Sequence, residues 1–98
     1  MSDLGREAPK NIESHETGAY QDAVIATLGE TRKDFEKQLE NYRISHDEEF
    51  KISALMAIRR YEETLQSRGE HILLKGKHTY EILLKKMKSQ FDEAENER

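Results

Sequence analysis

The chain contains one proline, Pro9, and none from residue 10 to residue 98. Proline interrupts helices because it lacks a backbone N–H donor and clashes with the preceding turn. It is common, in contrast, in turns and at the edges of sheets. Its absence therefore favours long helices, and no alternating apolar–polar run longer than about five residues competes with that interpretation. We expect an all-α protein.

Three segments repeat apolar residues at helical spacing. The first stripe is a heptad seam typical of a coiled coil, with Leu39 widening it, and consists of Val24, Leu28, Thr31, Phe35, Gln38 and Tyr42. The second consists of Phe50, Ala54, Ala57, Tyr61 and Leu65. The third consists of Leu73, Tyr80, Leu83, Leu84, Met87, Phe91 and Ala94. These stripes predict helices at about 15–43, 46–67 and 70–95.

Polar residues predict where these helices begin. Ser14 and Ser45 each precede a histidine and an acidic residue, and we interpret both as N-caps. Ser45 also has a partner three residues on, Glu48, and the two residues are spaced as a capping box. The second helix is therefore expected to start immediately after Ser45.

Glycines indicate how the chain turns or packs. Gly69 is a predicted left-handed cap that closes the second helix, and Gly76 is a predicted break or kink. Gly29 is predicted to allow close approach of another helix. With a reversal at Gly69, the fold is an antiparallel three-helix bundle. If residues 46–95 instead run on as one helix, the fold is a long two-helix hairpin that dimerises.

The chain is expected to form one domain with a thin core. Residues 1–13 are polar and lack periodicity, and we predict a disordered arm followed by a single helical bundle domain at 14–98. The hydrophobic fraction is 35% against a charged fraction of 37%, whereas ordinary domains are about 45–50% apolar. Burial of the seams against another molecule would stabilise such a core. We therefore expect a homo-oligomer, specifically a dimer, or a complex with a protein partner.

Composition also argues against several kinds of site. The chain has no cysteine, which excludes disulfides and zinc–thiolate sites and indicates a reducing, cytoplasmic location. Its longest apolar run is five residues, so no membrane span or signal peptide is expected. His71 and His78 lie about 10 Å apart along a helix, too far to share a metal ion. Because no catalytic grouping or Gly-rich phosphate loop occurs, we expect neither enzymatic activity nor a metal or cofactor.

Charge is unevenly distributed near the C-terminus. Residues 69–88 hold five lysines against two glutamates, and residues 89–98 hold four acids against one arginine. The lysines are candidates for contact with phosphate or with an acidic partner: Lys75, Lys77, Lys85, Lys86 and Lys88. Nucleic-acid binding through residues 75–88 is therefore the alternative function, disfavoured by the acidic tail, which would repel phosphate.

The predicted function is that of a non-enzymatic helical protein–protein interaction module, such as a small adaptor, an assembly or secretion chaperone, or a regulator. It is predicted to bind a partner or itself through amphipathic helix faces. The candidate contacts come from the second and third stripes, with two lysines at the rim: Tyr61, Leu65, Leu83, Met87 and Phe91, with Lys85 and Lys86.

Overall fold

A computed structural model describes residues 2–72 and 74–97, and it describes side chains within 19–72 and 76–97. Within these described residues the chain forms three α-helices, α1 (Ser2–Ser45), α2 (Glu48–Arg68) and α3 (Leu74–Asn96), with a short 3-10 turn at Gly69–His71. The predicted all-α helical bundle is confirmed. α1 runs from Ser2 through residue 14, so the predicted cap at Ser14 is wrong. The side chains of the predicted arm at 1–13 lie outside the described residues, and that arm stays a prediction.

Consecutive helices run in opposite directions. Only residues 46–47 separate α1 from α2, which makes the two helices antiparallel, and they pack closely along each other. The Tyr61 hydroxyl, late in α2, donates to the Tyr80 carbonyl, early in α3, at 3.0 Å. At the other end Lys51 of α2 lies 3.1 Å from Glu95 of α3. The bundle is therefore up-down-up, and the two-helix hairpin is not formed.

The core lies between the three helices and is supplied by the predicted stripes. Its buried hydrophobic residues are Val24, Leu28, Phe35, Leu39, Tyr42, Ala54, Ala57, Ile58, Tyr61, Leu65, Ile72, Met87, Phe91 and Ala94. Half-buried side chains pack at its edge, namely Phe50, Tyr80, Leu83 and Leu84. Thr31 is the buried polar side chain within the described part of the chain, and its hydroxyl donates to the Leu28 carbonyl at 2.9 Å.

The connection between α1 and α2 differs from the predicted capping box. His46 is left-handed, with φ 59°, and its N–H donates to the Tyr42 carbonyl at 2.7 Å, which closes α1. Asp47 is the N-cap of α2 and makes no side-chain capping hydrogen bond. The capping box of Ser45 with Glu48 is therefore wrong, because the left-handed residue that reverses the chain leaves Ser45 as the last residue of α1.

The connection between α2 and α3 does not use a left-handed glycine. Gly69 is right-handed, and the reversal comes from Arg68 (φ −124°) and the extended Ile72 (φ −96°, ψ 138°). A Cβ on Gly69 would lie 3.2 Å from Lys77 Cε, and one on Gly76 would lie 3.0 Å from Ile72 Cγ2. Gly69 is the C-cap of α2, as predicted, and its N–H donates to the Leu65 carbonyl, but the predicted left-handed conformation is wrong. The predicted break at Gly76 is also wrong, because α3 runs through Gly76.

Candidate functional site

A cleft of about 240 Å³ lies between the C-terminal half of α2 and the N-terminal half of α3. Its apolar inner part is the buried Leu65 and the half-buried Leu84. Polar and charged side chains complete the lining, namely Gln66, Lys77, Glu81, Lys85 and Lys88. The cleft therefore combines an apolar interior with three ammonium groups and one carboxylate.

Four of the residues singled out from the sequence meet in this cleft: Leu65, Lys77, Lys85 and Lys88. The antiparallel packing of α2 and α3 brings them together, since Leu65 is on one helix and the lysines are on the other. The contact residues predicted from the sequence did not include Gln66, Glu81 or Leu84, although Leu84 was placed in the third apolar stripe. The sequence did hold a signal for Glu81 and Leu84. Residues spaced three or four positions apart share a helix face, and these two residues share the face of the cleft lysines.

The lysines described within 77–88 lie in different surroundings. Lys88 Nζ lies 2.7 Å from a Glu62 carboxylate oxygen on α2. Lys85 and Lys86 are both exposed, but Lys86 does not line the cleft. Lys75 has a side chain outside the described residues. Adjacent lysines thus lie in different surroundings because successive residues of a helix point about 100° apart.

The other apolar residues predicted to contact a partner pack against the core of this chain. Tyr61, Met87 and Phe91 are buried in the core, and Leu83 is half-buried against it. The Phe91 ring stacks on Tyr42 with a centroid separation of 6.3 Å. These four side chains hold α3 against the other two helices, and their role in partner binding stays a prediction.

The environment of Tyr61 also changes its acidity. Burial raises the pKa of the Tyr61 hydroxyl to about 12, with a smaller contribution from Tyr80 and a small opposing one from Arg32. The hydroxyl is therefore neutral in the folded chain at physiological pH and acts as a hydrogen-bond donor to the Tyr80 carbonyl.

A second groove of about 560 Å³ runs between α1 and α2 and is mainly polar. Arg60 crosses it to Asp34 at 2.6 Å. The Thr27 and Ser67 hydroxyls donate to carbonyls of their own helices at 2.9 and 2.7 Å. Charges of both signs line the groove, and these contacts occupy four of its polar side chains within the chain.

The outer face of α2 carries three exposed apolar side chains. Ile52 is 54% exposed, Leu55 is 43% exposed and Met56 is 57% exposed. They lie opposite the buried stripe of the same helix, and we call them the outer α2 patch. Among the exposed charged residues near it, Glu48 and Glu49 precede the patch and Arg59 follows it.

His71 and His78 lie in separate surroundings. The His71 ring is 4.3 Å from the Tyr20 ring, and His78 is exposed on α3. Within residues 19–72 and 76–97, no group of three or more histidine, aspartate or glutamate side chains is placed to hold a metal ion.

In the part of the chain that the structure describes, no helix combines the length and apolarity needed to cross a bilayer. No protein-family model matches the chain, and no curated protein and no solved structure is significantly similar to it.

Proposed function

We propose that the chain is a non-enzymatic helical module that binds another protein through the α2–α3 cleft, as a small adaptor, assembly or secretion chaperone, or regulator. The observation that carries this proposal is the meeting of Lys77, Lys85 and Lys88 around the apolar interior formed by Leu65 and Leu84. Apolar anchors within a charged rim are the common arrangement of helix-binding surfaces.

The shape and charge of the cleft favour a particular kind of ligand. Its volume of about 240 Å³ is below the roughly 300–1,000 Å³ of most small-molecule pockets. One apolar side chain of a partner helix suits such a space better than a cofactor does. The three lysines favour a partner segment with acidic residues on either side of that side chain.

Two carboxylates favour a protein over a nucleic acid as the ligand. Glu81 lines the cleft and Glu62 pairs with Lys88, so both reduce the positive potential that would attract phosphates. Nucleic-acid binding would depend steeply on salt concentration, and an electrophoretic shift assay at low salt tests it. We expect no retarded species. The absence of cysteine supports a reducing compartment, and we propose the cytoplasm.

Adjacent lysines allow a matched test of the cleft. The tagged full chain is used to capture partners from an extract of its native host, and the captured proteins are identified by mass spectrometry. Lys85→Glu reverses a charge in the cleft, whereas Lys86→Glu makes the same change outside it. We expect the first variant to lose the partner and the second to retain it.

Two results would contradict the proposal. One is equal capture of the same partner by wild type and Lys85→Glu. The other is loss of that partner in both variants, which would indicate sensitivity to total charge rather than use of the cleft. Circular dichroism of both variants confirms that each remains helical.

A further inference from the structure

The outer α2 patch is a concentrated apolar surface on a strongly charged chain. Single exposed apolar residues are normal on proteins, whereas contiguous ones mark interaction surfaces. Among the described residues after Tyr20, α1 has one large exposed hydrophobic side chain, Ile44, and α3 also has one, Ile82. Ile52, Leu55 and Met56, in contrast, occupy one face within two turns of α2.

The charges beside the patch follow the same helix face. Glu48, Ile52, Leu55 and Arg59 are spaced by four, three and four residues, which is the seam of a coiled coil. Glu48 and Arg59 are about 16 Å apart along the axis. The seam thus begins with an acid, contains an apolar centre and ends with a base.

We propose that a second copy of this chain packs on the outer α2 patch, with the two α2 helices antiparallel. In that arrangement Ile52 of one copy meets Leu55 of the other. Glu48 of each copy lies opposite Arg59 of the other, so both ends of the interface pair opposite charges. A parallel arrangement would place acid against acid and base against base, which is unfavourable.

The contacts that Arg59 makes within one chain leave it able to pair across this interface. Its guanidinium lies 3.2 Å from Glu63, and the two side chains are 80% and 64% exposed. Exposed pairs of this kind contribute little to stability because solvent screens them, so Arg59 can turn to Glu48 of the second copy at little cost. Glu49, also exposed beside the seam, adds negative charge at the same end.

The patch is small, and its size sets the expected strength. Stable dimers bury about 800 Å² per partner, and interfaces below that range are weak or transient. The proposed dimer therefore assembles at micromolar concentration rather than nanomolar. It is independent of the α2–α3 cleft, since none of the seam residues lines that cleft.

Sedimentation equilibrium of the full chain tests the proposal. We expect the mass to rise from 11.5 kDa toward twice that value as concentration rises into the high micromolar range. Ile52→Asp should remain monomeric. Ile82→Asp is the matched control, since Ile82 is 51% exposed on another helix, and it should dimerise like wild type.

Charge reversal tests the orientation. Arg59→Glu places acid against acid and should weaken dimerisation about tenfold or more. Glu48→Arg combined with Arg59→Glu pairs opposite charges again in the antiparallel arrangement and should restore it. Circular dichroism verifies the helicity of each variant, because Glu48 lies in the first turn of α2.

Several outcomes would overturn the proposal. A wild-type chain that stays monomeric throughout the range, or an Ile52→Asp chain that dimerises normally, excludes the second copy as the occupant of the patch. Failure of the double reversal excludes the antiparallel orientation. If the wild-type chain is monomeric and captures a different protein only when Ile52 is intact, the patch binds that protein instead. Partner capture that depends on Lys85 is unaffected by any of these results.

Discussion

The Tyr61 hydroxyl links α2 to α3 by a hydrogen bond inside the core, to the Tyr80 carbonyl at 3.0 Å. Tyr61→Phe removes this bond while keeping the buried ring. We expect the free energy of unfolding at neutral pH to fall by about 1 kcal/mol. Urea denaturation followed by circular dichroism measures this change.

The same substitution should alter the response to alkali. The pKa of Tyr61 rises from its ordinary value of 10.0 to about 12 in the folded chain. Stability from the neutral hydroxyl is therefore fully present below pH 10 and is lost as pH rises through 12. The free energies of unfolding of wild type and Tyr61→Phe should therefore converge as pH rises above 10. Tyr20→Phe, at an exposed ring, is the control. A difference in the free energy of unfolding between wild type and Tyr61→Phe that stays constant with pH would contradict this expectation.

Two glycines should respond in opposite ways to alanine. No atom lies within 4 Å of a Cβ built on Gly29, so the predicted close approach of another helix there is wrong for the described residues. Gly29→Ala should stabilise the chain by about 0.5–1 kcal/mol through helix propensity. At Gly76 the new methyl would meet Ile72 Cγ2 at 3.0 Å, and Ile72 is buried in the core and cannot easily move. The overpacking cost of about 1–3 kcal/mol therefore exceeds the helix-propensity gain of about 0.5–1 kcal/mol. We expect a higher melting temperature for the first and a lower one for the second.

At the scale of the helices, the C-terminal turns of α3 are held by contacts with both other helices. A Glu95 carboxylate accepts a hydrogen bond from the Tyr42 hydroxyl at 3.0 Å, and the Lys51 ammonium lies 3.1 Å from the same group. The hydrogen bond with Glu95 raises the pKa of Lys51, and desolvation partly opposes this change. Arg43 also lies 3.6 Å from Glu97. The acidic tail thus contributes contacts within the bundle.

Glu95→Gln should loosen that end without unfolding the bundle. The amide can still bond Tyr42, but the charge that attracts Lys51 is gone. We expect backbone amides in the last two turns of α3 to exchange several-fold faster, because local opening becomes easier. Hydrogen exchange read by mass spectrometry measures this. Glu93→Gln makes the same change at an exposed position, and equally fast exchange in both variants would contradict the role given to Glu95.

Across the whole molecule, stability depends on docking α3 onto the closely packed α1–α2 pair. Phe91 is buried at that junction and stacks on Tyr42. Phe91→Ala should cost about 3–5 kcal/mol, a large part of the roughly 5–15 kcal/mol that stabilises a small domain. Ile82→Asp, on the exposed side of α3, should change stability by less than about 0.5 kcal/mol. Similar urea midpoints for the two variants would show that α3 is not docked as described.

The sequence was a good guide to the helices and a partial guide to the cleft. Helical periodicity identified the buried stripes of α1 and α2, because a residue's face depends only on its position along one helix. Spacing and charge also identified Leu65 and the three lysines of the cleft, but the charge pattern grouped those lysines with Lys86. It could not separate these lysines, because doing so required the position of α2 beside α3.

The sequence alone determined the all-α fold and the apolar faces of the helices, since proline content and residue spacing are local properties. The tertiary structure decided how the chain reverses. His46 is left-handed and Gly69 is not, because the reversals are set by packing between helices rather than by turn-forming residues alone. It also decided which apolar faces are covered. Phe91 is buried and Ile52 exposed because burial depends on contacts between residues distant in the chain.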